Sequence, residues 1–180
     1  LDGLAQRVEA LGYTTLWYPE AVGYEAFSLG AHLLSQTTAL QIGSGIANIY
    51  ARDPLSTAQA HDTLNALYGG RFIMGLGVSH APAVEGIRGH NYGKPVATMR
   101  AYLKAMAGTE LLTPDVESQI VIAALGPRML ALSAELAQGA LPYSVTPEHT
   151  ASARGILGPD RWLCVQQKIC LESDAATARQ

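Results

Sequence analysis

Gly43-Ser44-Gly45-Ile46-Ala47-Asn48-Ile49-Tyr50-Ala51-Arg52-Asp53-Pro54 is the stretch that decides how this chain folds. It reads as the end of an apolar strand, Leu40 to Ile46, running into a polar turn. A helix opens next, with Asp53 as N-cap and Pro54 at the first helical position, where a missing N–H costs nothing. Gly43 and Gly45 stand where the backbone would meet a ligand above the strand end, and glycine permits that close approach. One such turn is generic; its weight comes from further turns of the same kind along the chain.

Upstream, Leu1, Leu4, Val8 and Leu11 follow helical spacing and Gly12 stops that helix. Thr14 to Tyr18 reads as a strand ending in Pro19-Glu20, followed by a helix around Tyr24 to Thr38. Downstream, a helix from Pro54 to Tyr68 closes on Gly69-Gly70, and Arg71 to Val78 is the next strand. A loop from Ser79 to Lys94 leads to a helix with Met99, Tyr102, Leu103 and Met106 on one face. Gln119 to Leu125 is almost wholly apolar, the mark of a strand buried on both faces. Gly126-Pro127 opens a helix striped by Met129, Leu132, Ser133 and Leu136. Ala140 to Val145 and Trp162 to Leu171 read as two more strands, with a helix capped by Thr146 between them and another starting at Ser173-Asp174. Six strands alternate with helices, which argues for a parallel sheet with crossover helices.

The ends suggest a fold class. Leu1 falls inside a helical pattern with no strand before it, and Gln180 lies a turn or two into a helix. The expectation is an α/β fold, a (β/α)₈ barrel lacking its first and last strand, with 1–180 a single fragmentary domain. A six-stranded open sheet is the alternative.

Composition narrows the function. Hydrophobic residues make up 48% of the chain and charged residues 15%, ample for a core. No run approaches the roughly 18 apolar residues of a membrane span. A net charge of −3 gives no basic field for nucleic acid. The five histidines are scattered without metal-ligand spacing, so no metal site is expected. Cys164 and Cys170 sit on one presumed strand, about 20 Å apart at ~3.3 Å per residue, too far to bridge. The chain therefore reads as cytoplasmic and reduced.

A barrel of this kind carries its active site at the strand C-termini. Polar and aromatic groups collect at those positions: Trp17 to Glu20, Asn48 to Arg52, Gly77 to His80, Leu125 to Arg128, and Tyr143 with Ser144.

Four segments together resemble the bacterial luciferase-like monooxygenase superfamily, in its deazaflavin-dependent oxidoreductase branch. They are LGYTTLWYPEA (11–21), IGSGIANIYARDP (42–54), GGRFIMGLGVSHAP (69–82) and ALGPRMLALSAELAQGALPY (124–143). The resemblance implies a barrel that binds coenzyme F-420, or alternatively FMN, in a cleft at the strand ends. It implies a non-prolyl cis peptide after the third barrel strand, here the Gly45-Ile46 bond, with Ala47, Asn48 and Ile49 on the same face. It places Gly77 and Ser79 at the fourth-strand turn, near the phosphate or the ring edge. It also makes Ala124, Leu125, Gly126 and Arg128 the contact with the cofactor phosphate. Helix N-termini favour anions, which agrees.

Two side chains are candidates for acid/base work. Glu20 falls where the deazaflavin dehydrogenases carry His. It reads either as a proton handler, if burial raises its pKa, or as a helix-start carboxylate. His80 falls where some relatives have Glu, and reads either as an acid or as an exposed loop histidine. The functions left open are hydride transfer between F-420 and a small organic substrate, FMN-dependent monooxygenation with O₂, and a non-catalytic flavin-binding or scaffold relative. The resemblance further implies a homodimer.

Overall fold

A computed structural model describes residues 3–114 and 116–179. Strands and helices alternate along it. In chain order they are α1 (Leu4–Ala10), β1 (Thr15–Tyr18), α2 (Ala26–Ser35), β2 (Gln41–Ser44), β3 (Ala47–Asn48), α3 (Pro54–Leu67), β4 (Phe72–Gly77) and α4 (Pro95–Ala107). There follow β5 (Ile120–Ile122), α5 (Pro127–Leu136), β6 (Gly139–Ala140), α6 (Pro147–Leu157), β7 (Trp162–Leu163) and α7 (Ala175–Ala178). Every strand pairing is parallel, in the order β1-β2-β4-β5-β6-β7, with β3 beside the second half of β4. This is a curled, open α/β sheet that matches an incomplete (β/α)₈ barrel.

Local chemistry explains the helix starts. Asp53 accepts from the Ser56 N–H at 2.9 Å and Pro54 follows it, so α3 begins where the sequence predicts. Thr146 accepts from His149 N–H and starts α6 in the same way. α2 starts one residue past Glu25, whose carboxylate accepts from Phe27 and Ser28 N–H.

Side-chain alternation along β4 builds two apolar layers. Phe72, Met74 and Leu76 face the helices and join Ile42, Leu33, Leu34, Met99, Leu103 and Leu132 in the main core. Each such side chain, fully buried, contributes roughly 1.5–3 kcal/mol. Ile73 points to the other face, where it packs with Val121, Leu141, Trp17, Ile46 and Cys164.

The sequence expectation differs from the structure in four places. The predicted strand Leu40 to Ile46 is broken: β2 ends at Ser44 and β3 resumes at Ala47. The predicted strand Trp162 to Leu171 forms a strand only at Trp162–Leu163 and keeps parallel bonding beside 140–144 as far as Gln166, through the Tyr143–Gln166 bridge; Ile169 and Leu171, past that bridge, are exposed. Cys164 and Cys170 therefore do not share a strand; both are free thiols. The loop after β4 contains a wide helical turn, Pro82–Ile87. The predicted strand Ala140 to Val145 shrinks to Gly139–Ala140, with a single bridge further on at Tyr143. α1 forms as its spacing implies, with only Ala5 buried and Leu4 and Leu11 exposed; Leu1 and Gln180 lie outside the described residues.

Candidate functional site

The break between β2 and β3 makes the central feature. The Gly45-Ile46 peptide bond is cis, at the position the resemblance implies. The chain leaves the ladder after Ser44, and the Ser44 hydroxyl takes over the lost rung: Oγ donates to Gly75 O at 2.9 Å and accepts from Gly75 N–H at 3.0 Å. β3 then rejoins β4, with Ala47 opposite Leu76 and Asn48 opposite Gly77. The Ile46 side chain fills the space above Gly77, where an added Cβ would lie 2.6 Å from Ile46 Cγ1 and Cδ1. Gly45 is roomier, since a Cβ there would meet only Leu141 and Trp17, at 3.7 Å.

Glu20 and Arg52 lie behind this bulge, 5% and 11% exposed at their side chains. One Glu20 oxygen accepts from Asn48 N–H at 2.7 Å and from Arg52 Nη1 at 3.0 Å. The other accepts from Arg52 Nη2 and from Ala26 N–H at 3.3 Å. Arg52 also donates to Asn48 O at 3.2 Å and to Glu25 at 2.8 Å, and its guanidinium lies 4.5 Å from the Phe27 ring centre. Burial alone would raise the Glu20 carboxyl. The Arg52 guanidinium and the Asn48 N–H outweigh it and hold the carboxyl below the ordinary value. Of the two readings of Glu20, the lowered value fits the ionised helix-start carboxylate: both oxygens are committed acceptors.

His80 is exposed at the end of β4, and its ring makes no hydrogen bond among the described residues. Its carbonyl accepts from Ala83 and Val84 N–H and starts the wide turn. Ser79 before it has a left-handed backbone, φ 56°, a conformation costing about 1 kcal/mol or more in a non-glycine residue. Tyr92 holds that backbone by donating to Ser79 O at 3.2 Å. The Tyr50 hydroxyl donates to Tyr92 O, and the two rings stack at 6.1 Å. The long loop is thus tied back over the strand ends.

At β5, Ala124 is buried, while Leu125, Gly126 and Arg128 are exposed. The N-cap Gly126 has no side chain to satisfy the first N–H groups of α5. The Arg128 side chain makes no hydrogen bond among the described residues. His149 Nε2 donates to Leu125 O at 2.7 Å and ties the first turn of α6 to this turn. Together, Asn48, Ile46, Gly77, Ala47 and Glu20 form one contact set. Ser79 joins it through Tyr92, and the 124–128 turn lies on the next strand end. His80 contacts neither Glu20 nor the 124–128 turn through a hydrogen bond.

Sequence reasoning gave Ser44 no role and placed Arg52 at the strand ends and Tyr92 in the long loop without finding their partners. A small polar residue inside an apolar strand was the available signal for Ser44. Arg52 lies in the quoted stretch, but its partner is 32 residues away.

Parallel strands, crossover helices and a site gathered at the strand C-termini define a barrel-type α/β protein of the kind that holds a ligand at its carboxyl edge. The family model described as luciferase-like monooxygenase matches residues 1–155, and the chain belongs to that family. A Mycobacterium tuberculosis protein provisionally named a coenzyme F-420-dependent oxidoreductase is 30% identical over 176 residues, spanning 80% of this chain and 51% of the relative. The 5,10-methylenetetrahydromethanopterin reductase of Methanolobus tindarius is 26% identical over 163 residues, spanning 80% and 50%. The solved structure of an F-420-dependent secondary alcohol dehydrogenase, in complex with an F-420–acetone adduct, shares the fold with a TM-score of 0.72. Its identity is 17%, and the match covers 87% of this chain and 59% of that one. The chain spans about half the length of the curated relatives it matches. Among the described residues, no helix is long and apolar enough to cross a membrane, and no group of three His, Cys, Asp or Glu could hold a metal.

Proposed function

We propose that this chain carries the coenzyme-holding face of an oxidoreductase that moves hydride between coenzyme F-420 and a small organic substrate. The observation that carries the reading is the Gly45–Asn48 bulge at the strand ends beside a helix start without a side-chain cap. The residues suit the coenzyme at two points. At Gly45 no side chain stands on the backbone, and an added Cβ would meet its nearest neighbours, Leu141 and Trp17, at 3.7 Å. At α5 the N–H groups without a side-chain cap and Arg128, unpaired among the described residues, suit an anionic tail.

When bound, the deazaflavin supplies the hydride acceptor or donor. The chain's own work is positioning and proton management. Ile46, Ala47 and Asn48 set the surface against the ring, and Gly77 leaves room for Ile46. Ser79 and the Tyr50–Tyr92 pair place the loop that limits water at the strand ends. His80, exposed and without a side-chain partner among the described residues, is the group assigned to hold or release the one proton that accompanies hydride transfer. Like the relatives named for reductases and dehydrogenases, the protein would take a small organic substrate, and a homodimer is the proposed assembly.

Purified protein is titrated with F-420 and, separately, with FMN, followed by coenzyme fluorescence. Tight binding of F-420 supports the reading. Preference for FMN transfers it to monooxygenation, and binding of neither overturns it. Arg128→Ala is expected to weaken phosphorylated F-420 more than its dephosphorylated form; equal loss removes the tail from α5.

A further inference from the structure

We infer that Glu20 and Arg52 are positioning residues, a clamp that grips both backbone groups of Asn48 and thereby sets the bulge against which the coenzyme ring lies. The inference rests on the coenzyme reading above and assigns the pair no part in proton transfer. One ion pair holds two ends of a single residue: Glu20 accepts the Asn48 N–H at 2.7 Å, and Arg52 donates to the Asn48 carbonyl at 3.2 Å. Asn48 lies just past the Gly45-Ile46 bond, and its own Oδ1 accepts from Tyr50 N–H at 2.9 Å, so its side chain is committed to the turn that follows. The backbone at 48 therefore has one neighbour across the ladder, Gly77, and one clamp behind it.

The clamp is anchored elsewhere. Glu20 also accepts from Ala26 N–H, and Arg52 also pairs with Glu25, the N-cap of α2. Tyr102 of α4 donates to Arg52 O at 3.0 Å. Three βα units are thus tied to one point behind the bulge. A proton handler needs a free oxygen facing the substrate; both Glu20 oxygens are spent inward, each on a backbone N–H and a guanidinium nitrogen.

The first test needs no variant. The Asn48 and Ala26 amide resonances are followed against pH in the unliganded protein. The charged and titratable groups facing Glu20 are Arg52, Glu25 and the Tyr18 and Tyr102 hydroxyls, with Arg88 and His90 of the long loop lining the same cavity. The clamp predicts that both amides stay unmoved through the neutral range and shift together only in acid. A shared midpoint near neutrality overturns it. The second test uses Glu20→Gln, Arg52→Lys and the double variant, with F-420 affinity as readout. Each single change is expected to weaken binding roughly tenfold, with the double little worse than either, as for residues acting through one contact. The loss is expected to be the same for dephosphorylated F-420, because the clamp acts at the ring end. Additive losses, or a loss confined to the phosphorylated form, overturn the inference. If the parent protein binds neither coenzyme, the coenzyme reading fails, and the amide titration still decides the clamp.

Discussion

Replacing Gly75 with alanine tests whether the break between β2 and β3 is built as described. A Cβ on Gly75 would overlap the Ser44 carbonyl oxygen and stand 3.1 Å from its carbon, so backbone must move. The movement also disrupts both hydrogen bonds between the Ser44 hydroxyl and Gly75, at 2.9 and 3.0 Å. Two such bonds are worth roughly 2 kcal/mol. Overpacking adds about 1–3 kcal/mol, and the stiffer unfolded chain returns roughly 0.5–1 kcal/mol. The expected net loss is about 2–4.5 kcal/mol, a large share of an ordinary domain's stability. Urea unfolding at 25 °C measures it, with Gly45→Ala as the control. There the added carbon meets neighbours at 3.7 Å, and stability should stay within about 1 kcal/mol of the parent. A Gly75→Ala loss no larger than the Gly45→Ala loss would refute the account of the missing rung.

Three further outcomes follow from the geometry. Arg71 donates to the carbonyls of Leu34, Thr37, Leu40 and Tyr68 and to the Thr37 hydroxyl; Arg71→Ala should cost about 3 kcal/mol in the same unfolding assay, and Arg71→Lys should recover only part of it, because an ammonium lacks the fork. Glu20 titrates below its ordinary value of 4.5 in the folded protein, so its contribution is complete above that pH and is lost as pH falls through the lower folded value. Stability should therefore decline in acid below about pH 4.5, with a shallower decline in Glu20→Gln. Tyr50→Phe removes the hydroxyl that holds Tyr92, and trypsin should then cut the exposed loop at Arg88 about fivefold faster, the equivalent of one ordinary hydrogen bond.

The alternation of strands and helices was legible because each cap and stripe is local. Asp53-Pro54 and Thr146-Pro147 start helices within three residues of themselves, and Met99, Tyr102, Leu103 and Met106 are all buried as their spacing implies. Strand ends were not legible, because a strand lasts only as long as its neighbour does. Trp162-Leu163 pairs with Gly139-Ala140, bonding to 140–144 runs on only to Gln166, and the apolar Ile169 and Leu171 lie past it, exposed. The site divided along the same line. The Gly45-Ile46 bulge stands where the resemblance implies it and not where the strand pattern does, and α5 opens at Gly126-Pro127 as its own segment implies. The ionisation of Glu20 depends on Arg52, 32 residues further along, and no spacing rule reaches that far. Burial entered the reading of Glu20 only as a condition, and the cation that reverses its effect did not enter it.

The severed ladder at Ser44 also restricts how this segment can change length. β4 is gripped by β2 at Phe72 and Ile73 and by β3 at Leu76 and Gly77, so the residues between Ser44 and Ala47 bridge two fixed registers. Inserting or deleting one residue would slide β3 by a single step and exchange the faces of Ala47 and Asn48. A core methyl would turn to the wrong side, and an amide would lose its carboxylate. Point substitutions are available to divergence here, but indels are not, which makes the spacing of this segment a more durable signature than its letters.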